Sequence, residues 1–126
     1  MDSYSILVVD DEPFILDIFS QFLCDEGFNV QVAYSNDEAL TYLDHSTFDL
    51  ILIDLHMKGM LFQEFLTIVR NQGGLSEIPI LVVTGIPDAL DYKSSQMIQG
   101  VIEKPFAPEL LISNVKSLLA NNVFAF

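Results

Sequence analysis

At 126 residues, about half of them hydrophobic, the chain is long enough for one ordinary domain and too apolar to be disordered. Eighteen acidic against five basic residues leave a net charge of −13, a field that repels phosphate backbones and anionic lipid and argues against direct nucleic-acid or membrane binding. No apolar run approaches the ~20 residues of a bilayer span. The start Met1-Asp2-Ser3 lacks a secretory n-region, and Cys24 has no partner cysteine, so a reducing, cytoplasmic setting is expected.

In chain order, Ile6-Leu7-Val8-Val9 opens the pattern as a strand apolar at every position, which suits burial on both faces of a parallel sheet. A helix follows from Phe14 to Leu23, with Pro13 in its first turn and Gly27 as its stop. Val30-Gln31-Val32-Ala33 alternates, as an edge strand does. Asn36 is placed to cap a short helix carrying Ala39, Leu40 and Leu43. Leu50-Ile51-Leu52-Ile53 is a second fully apolar strand. It is followed by a helix from about Leu61 to Val69, ended by the stretch Asn71 to Gly74. Ile80-Leu81-Val82-Val83 is a third such strand, and Pro87 opens a poorly amphipathic segment reaching about Met97. Val101-Ile102 reads as a shorter covered strand, and Pro108 opens a last helix with a stripe of Leu111, Ile112, Val115, Leu118 and Leu119. The end, Val123-Phe124-Ala125-Phe126, is apolar enough to be an extra turn, the stub of a longer chain or a dimer contact.

Five strands alternating with five helices predict an α/β fold. Right-handed crossovers make it a doubly wound five-stranded parallel sheet, order 2-1-3-4-5, with helices on both faces (flavodoxin-like). Without a linker or repeat, residues 1–126 read as one domain, with 121–126 as a tail.

Functional groups in such sheets gather beyond the carboxyl ends of the strands. Asp10, Asp11 and Glu12 follow the first strand, Asp54 the third, Thr84 the fourth and Lys104 the fifth. In that strand order Asp10, Asp11 and Asp54 converge. At ~4 Å and an effective dielectric near 20, each carboxylate pair repels by about 4 kcal/mol, which demands shifted pKa values, Lys104 or a bound cation. An all-oxygen, partly hydrated site suits Mg²⁺, with Mn²⁺ as the alternative. A carboxylate beside a divalent ion and an ammonium is arranged to take a phosphoryl group, and Thr84 can offer a hydroxyl to it.

The segments Ile6–Pro13, Asp49–Met57, Ile78–Gly85 and Lys104-Pro105-Phe106, in this order, resemble the response-regulator receiver family over essentially the whole chain. The resemblance implies that Asp54 is the phosphoacceptor, with Thr84 and Lys104 acting on the phosphoryl group. It implies that Asp11, Asp54 and the His56 backbone carbonyl bind the metal directly, that Asp10 acts through water, and that the Lys104–Pro105 bond is cis. A histidine kinase or histidine phosphotransfer protein is the implied donor, besides small donors such as acetyl phosphate, and a downstream protein is the implied target. Three positions depart from the family: Lys58 stands where proline is usual, Phe62 where glycine is usual, and Val101 where the switch aromatic is usual.

Outside the motif, His56 is expected to overhang the site, and His45 to be a surface residue. Ile15 and Ile18 are candidates for a docking contact on the first helix. Three other functions compete. An aspartyl phosphatase needs a second Asp where His56 stands, and a flavin carrier needs a phosphate cradle where Asp10-Asp11-Glu12 stand. A phosphorylation-independent interaction or dimerisation module is compatible with every residue named.

Overall fold

The computed structural model describes residues 3–123. Along the chain run β1 (Ser5–Val9), α1 (Pro13–Asp25), β2 (Asn29–Ala33), α2 (Asn36–His45), β3 (Leu50–Asp54), α3 (Phe62–Arg70), β4 (Ile80–Thr84), α4 (Tyr92–Ser95), β5 (Gly100–Glu103) and α5 (Pro108–Val123). The strands form one sheet in the order β2-β1-β3-β4-β5, every pair parallel.

The fully apolar strand sequences explain this architecture directly. Successive side chains of a strand point to opposite faces, so β1, β3 and β4 each feed two cores. Leu7, Val9, Ile51, Ile53, Ile80 and Val82 pack with Phe65, Leu66 and Val69 of α3 and Ala39 and Leu43 of α2. Ile6, Val8, Leu50, Leu52, Leu81 and Val83 pack on the other face with Leu16, Phe19 and Leu23 of α1 and Leu111, Val115 and Leu119 of α5. Burying one such side chain is worth roughly 1.5–3 kcal/mol relative to exposure. A polar residue inside β3 would therefore strip a core on one face or the other.

Three expectations need correction. Ser35, not Asn36, caps α2: its Oγ accepts the Glu38 amide at 3.0 Å, and Asn36 is the first helical residue, buried with its side chain turned inward. Ser and Asn are both good caps; the hydroxyl one position earlier takes the role. The strand Val101-Ile102 is not covered on both faces, because β5 is the outer strand beyond β4; Ile102 is buried and Val101 is 40% exposed. The stretch from Pro87 to Met97 is not one helix. It is a 3₁₀ turn at Pro87–Ala89 and the four-residue α4, which Asp91 caps by accepting the Ser94 amide at 2.8 Å. The last helix, α5, runs to Val123, and Phe124-Ala125-Phe126 lie outside the described residues.

So short an α4 leaves a long connection to be held by other means, and Arg70 at the end of α3 holds it. Its Nε and Nη2 donate to the Met97 carbonyl at 3.0 and 2.7 Å, and Nη2 also to Gln99 Oε1 at 2.9 Å. Nη1 donates to the carbonyls of Ile78 at 2.7 Å and of Leu75 and Ser76 at 3.3 Å. Burial pushes this guanidinium below its ordinary pKa, and the Glu77 charge partly restores it. One planar fork thus pins the approaches to β4 and β5, a geometry an ammonium cannot copy. Arg70→Lys is expected to lower unfolding stability by about 2 kcal/mol, the scale of a charge-assisted hydrogen bond, measured as a lower urea midpoint at unchanged slope. An unchanged midpoint would show that the clamp is dispensable.

Candidate functional site at the carboxyl end of the sheet

Because β1 and β3 are neighbours with Val9 opposite Ile53, the residues that follow, Asp10 and Asp54, end side by side. The backbone of Asp10 is fixed by its amide, which donates to the Ala33 carbonyl at 3.1 Å. Lys104 arrives from β5, its amide donating to the Thr84 carbonyl at 2.8 Å. The Lys104–Pro105 bond is cis, as the resemblance implied. The Lys104 ammonium lies 3.5 Å from Asp10 Oδ2 and 3.6 Å from Asp54 Oδ2. One cation is shared between two carboxylates.

That leaves the site negative. Asp10 is buried, and its Oδ2 has no hydrogen-bond partner, only the ammonium. Burial pushes its carboxyl above the ordinary value of 3.8, against the pull of the Glu12 amide and Lys104; the Asp54 and Glu12 charges add to the rise. Asp10, Asp11 and Glu12 can each offer a carboxylate oxygen within 4.8 Å of the others. A cluster of hard oxygen donors with an orphaned buried oxygen and one shared ammonium fits a small divalent cation, whose charge would offset the remaining repulsion.

The loop after β3 leans on these same carboxylates. The His56 amide donates to Asp54 Oδ1 at 3.3 Å, and the Lys58 amide to Asp11 Oδ2 at 3.4 Å. A cavity of about 470 Å³ opens beside them, lined among others by Asp11, His56, Lys58, Gln63 and Ala89. His56 is exposed there, at the rim of the site. Thr84 is fully buried, and its Oγ1 accepts the Ile86 amide at 3.1 Å, so its hydroxyl is engaged by its own loop. Val101 lies on the outer face, half exposed. Ile15 and Ile18 line a second hollow of about 420 Å³ with Phe19, Phe22, Lys104 and Phe106, alongside the same ammonium. Asn36, read in the sequence as a cap, donates from Nδ2 to the Met60 carbonyl of the β3–α3 loop at 2.8 Å. Nothing in its spacing signals that contact, which joins residues far apart in the chain.

Residues 6–116 match the response regulator receiver domain. The chain belongs to this family. It is 32% identical over 123 residues to "Probable transcriptional regulator ycf29" of Pyropia yezoensis, covering 96% of this chain and 55% of that protein. The chain spans about half the length of the curated relatives it matches. The chemotaxis response regulator CheY4 of Vibrio cholerae superposes with a TM-score of 0.82 at 30% identity, over 93% of this chain and 99% of that one. The response regulator TrrA of Thermotoga maritima, solved in complex with Mg(2+)-BeF, gives 0.83 at 29% identity over 91% and 98%. A receiver domain of two-component response regulators is a signalling module and not an enzyme that turns over an external substrate. This sets aside the phosphatase and flavin-carrier readings. Among the described residues no helix is long and apolar enough to cross a membrane.

The raised Asp10 pKa has a stability consequence with a definite sign. A carboxyl whose folded value lies above its unfolded one contributes stability that is fully present below the unfolded value and is lost as pH rises through the folded value. At neutral pH, therefore, ionised Asp10 opposes folding of the metal-free receiver. Asp10→Asn is expected to melt at a higher temperature than the parent at pH 7 in chelator, the gap narrowing towards acidic pH. A lower melting temperature for the variant at pH 7 would contradict the assignment of burial as the dominant cause.

Proposed function

We propose that this receiver domain accepts a phosphoryl group on Asp54 in a reaction that requires Mg²⁺, and signals through protein contacts. The observation that carries the reading is the shared Lys104 ammonium, 3.5 and 3.6 Å from Asp10 and Asp54, beside a cluster of further carboxylates. Asp11, Asp54 and the His56 backbone carbonyl would hold the ion directly, with Asp10 acting through water, and Mn²⁺ would serve in its place. When bound, the ion supplies positive charge to the phosphoryl oxygens.

The chain's own groups do the rest. An Asp54 carboxylate oxygen attacks phosphorus, an acyl phosphate bond forms, and the bond from phosphorus to the donor breaks, its electron pair leaving with the donor. Lys104 stands ready to follow the new charge, since its ammonium already bridges the acceptor and Asp10. Thr84 offers its hydroxyl proton to a phosphoryl oxygen while its oxygen still accepts the Ile86 amide. His56, at the rim, governs water access to the acyl phosphate and so its lifetime. Kinship with response regulators supports a histidine kinase or a histidine phosphotransfer protein as donor. The apolar hollow lined by Ile15 and Ile18, next to Lys104, supports docking of that donor on α1. The net charge of −13 favours a partner whose docking face is basic or neutral, and argues against contact with nucleic acid or membrane by this domain itself.

Incubation with acetyl phosphate and Mg²⁺ is expected to add one phosphoryl mass to the wild type and none to Asp54→Asn, read by intact mass spectrometry. Omitting the metal, or replacing Lys104 by Ala, should slow the reaction by at least about 10²-fold, the scale of losing an electrostatic contact to the transferring group. A phosphoryl adduct on Asp54→Asn would refute the assignment. For His56→Ala, the rate of spontaneous loss of the adduct is the readout, and an unchanged rate would remove its role.

A further inference from the structure

The connection from β3 into α3 lacks the proline and the glycine that the family usually carries there, having Lys58 in the loop and Phe62 as the first residue of α3 instead. Besides the packing of Leu55, Met57 and Met60 on the core, three hydrogen bonds tie its course. Two are the His56 amide on Asp54 Oδ1 at 3.3 Å and the Lys58 amide on Asp11 Oδ2 at 3.4 Å. Both are long, and both end on carboxylates to which the proposed function assigns the metal and the phosphoryl group. Whatever binds there competes for the electrons these two amides use. The third tie is the Nδ2 of Asn36 on the Met60 carbonyl at 2.8 Å, short and independent of the site's charge.

Asn36 is an unusual residue to find in this place. It is 1% exposed at the start of α2, and its Oδ1 is buried with no partner. A buried amide with half its capacity unmet calls for an explanation, and the hydrogen bond of the other half supplies one. Gly59, at φ +87°, makes the turn that presents the Met60 carbonyl, and that backbone geometry favours glycine. An ideal Cβ at Gly59 would sit 3.8 Å from Asp37 Oδ2, so the turn is seated against the first turn of α2.

We propose that Asn36 is a positioning residue for the divalent-ion site: through Met60 it anchors the β3–α3 loop so that the His56 carbonyl stays in place when Asp11 and Asp54 are engaged by ion and phosphoryl group. This rests on the reading of Asp11, Asp54 and the His56 carbonyl as the ion's ligands. Groups that hold a ligand in place are worth about 10–100-fold in metal affinity.

The test uses Mg²⁺ titrations of the unphosphorylated protein, followed by amide NMR, on the wild type, Asn36→Ala and Ser35→Ala. Ser35→Ala removes the cap of α2, the Oγ that accepts the Glu38 amide at 3.0 Å, and leaves the Asn36–Met60 bond intact. Asn36→Ala is expected to raise the Mg²⁺ dissociation constant about tenfold, and in the metal-free protein to speed hydrogen exchange at the Lys58 amide. Ser35→Ala is expected to keep the wild-type dissociation constant although it weakens α2. Wild-type affinity in Asn36→Ala, or an equal loss in Ser35→Ala, overturns the proposal. Absence of Mg²⁺ binding by the wild type itself would instead sink the ligand reading, and the exchange rate of metal-free Asn36→Ala then decides the anchor alone, an unchanged rate overturning it.

Discussion

The arrangement depends on one ammonium between two carboxylates. Lys104 lies within 3.6 Å of both Asp10 and Asp54, and neither acid would be tolerated so close to the other in a low-dielectric crevice without it. One positive charge cannot neutralise two negative ones, still less with Asp11 and Glu12 beside them. The residual negative charge makes the crevice a place that favours a cation. For Asp10 itself, burial more than this charge imbalance opposes ionisation.

That ammonium reaches its place only because of the order of the strands. With β1 and β3 adjacent, Asp10 and Asp54 leave the sheet as neighbours, and β4 then carries Lys104 in through the bond from its amide to the Thr84 carbonyl. The parallel sheet requires helices on both faces, and the two cores that result are built from alternate residues of the same strands. A register slip of one residue would exchange the two cores and rotate Asp54 away from Lys104. Hydrophobic packing therefore sets the geometry of the polar site.

This logic makes some features legible in the sequence and hides others. The central strands could be read because burial on both faces forces unbroken apolar runs, and the candidate site could be placed because its polar residues follow closely on those runs, Asp10, Asp54 and Thr84 at once and Lys104 after Glu103. The covered look of Val101-Ile102 misled because a two-residue run carries no periodicity; only the neighbouring strand decides that Val101 faces outward. Ser35 and Asn36 are both competent caps, so local propensity could not assign the role between them. The brief α4 escaped because Pro87 and a polar segment are compatible with either a weak helix or turns. Arg70 and Asn36 left no signature at all. Their partners, Met97 and Met60, are backbone carbonyls far along the chain, and a carbonyl is the same in every residue.

Val101, where the family usually has an aromatic residue, lies in β5, and the segment that leads from β4 to it is unevenly anchored. At one end, the Thr84 hydroxyl accepts the Ile86 amide, a single neutral hydrogen bond worth about 1 kcal/mol net. At the other, Arg70 grips the Met97 carbonyl with two donors and reaches Gln99 and Ile78 as well. The segment is therefore held more tightly at its β5 end than at its β4 end. Ile86 is 57% exposed and Tyr92 80%, so that end presents apolar surface to water, while Leu90 between them packs against the core. With Val101 40% exposed on the outer face, the large apolar side chains that stand in water after Thr84 are Ile86 and Tyr92 of this segment as well as Val101 of β5.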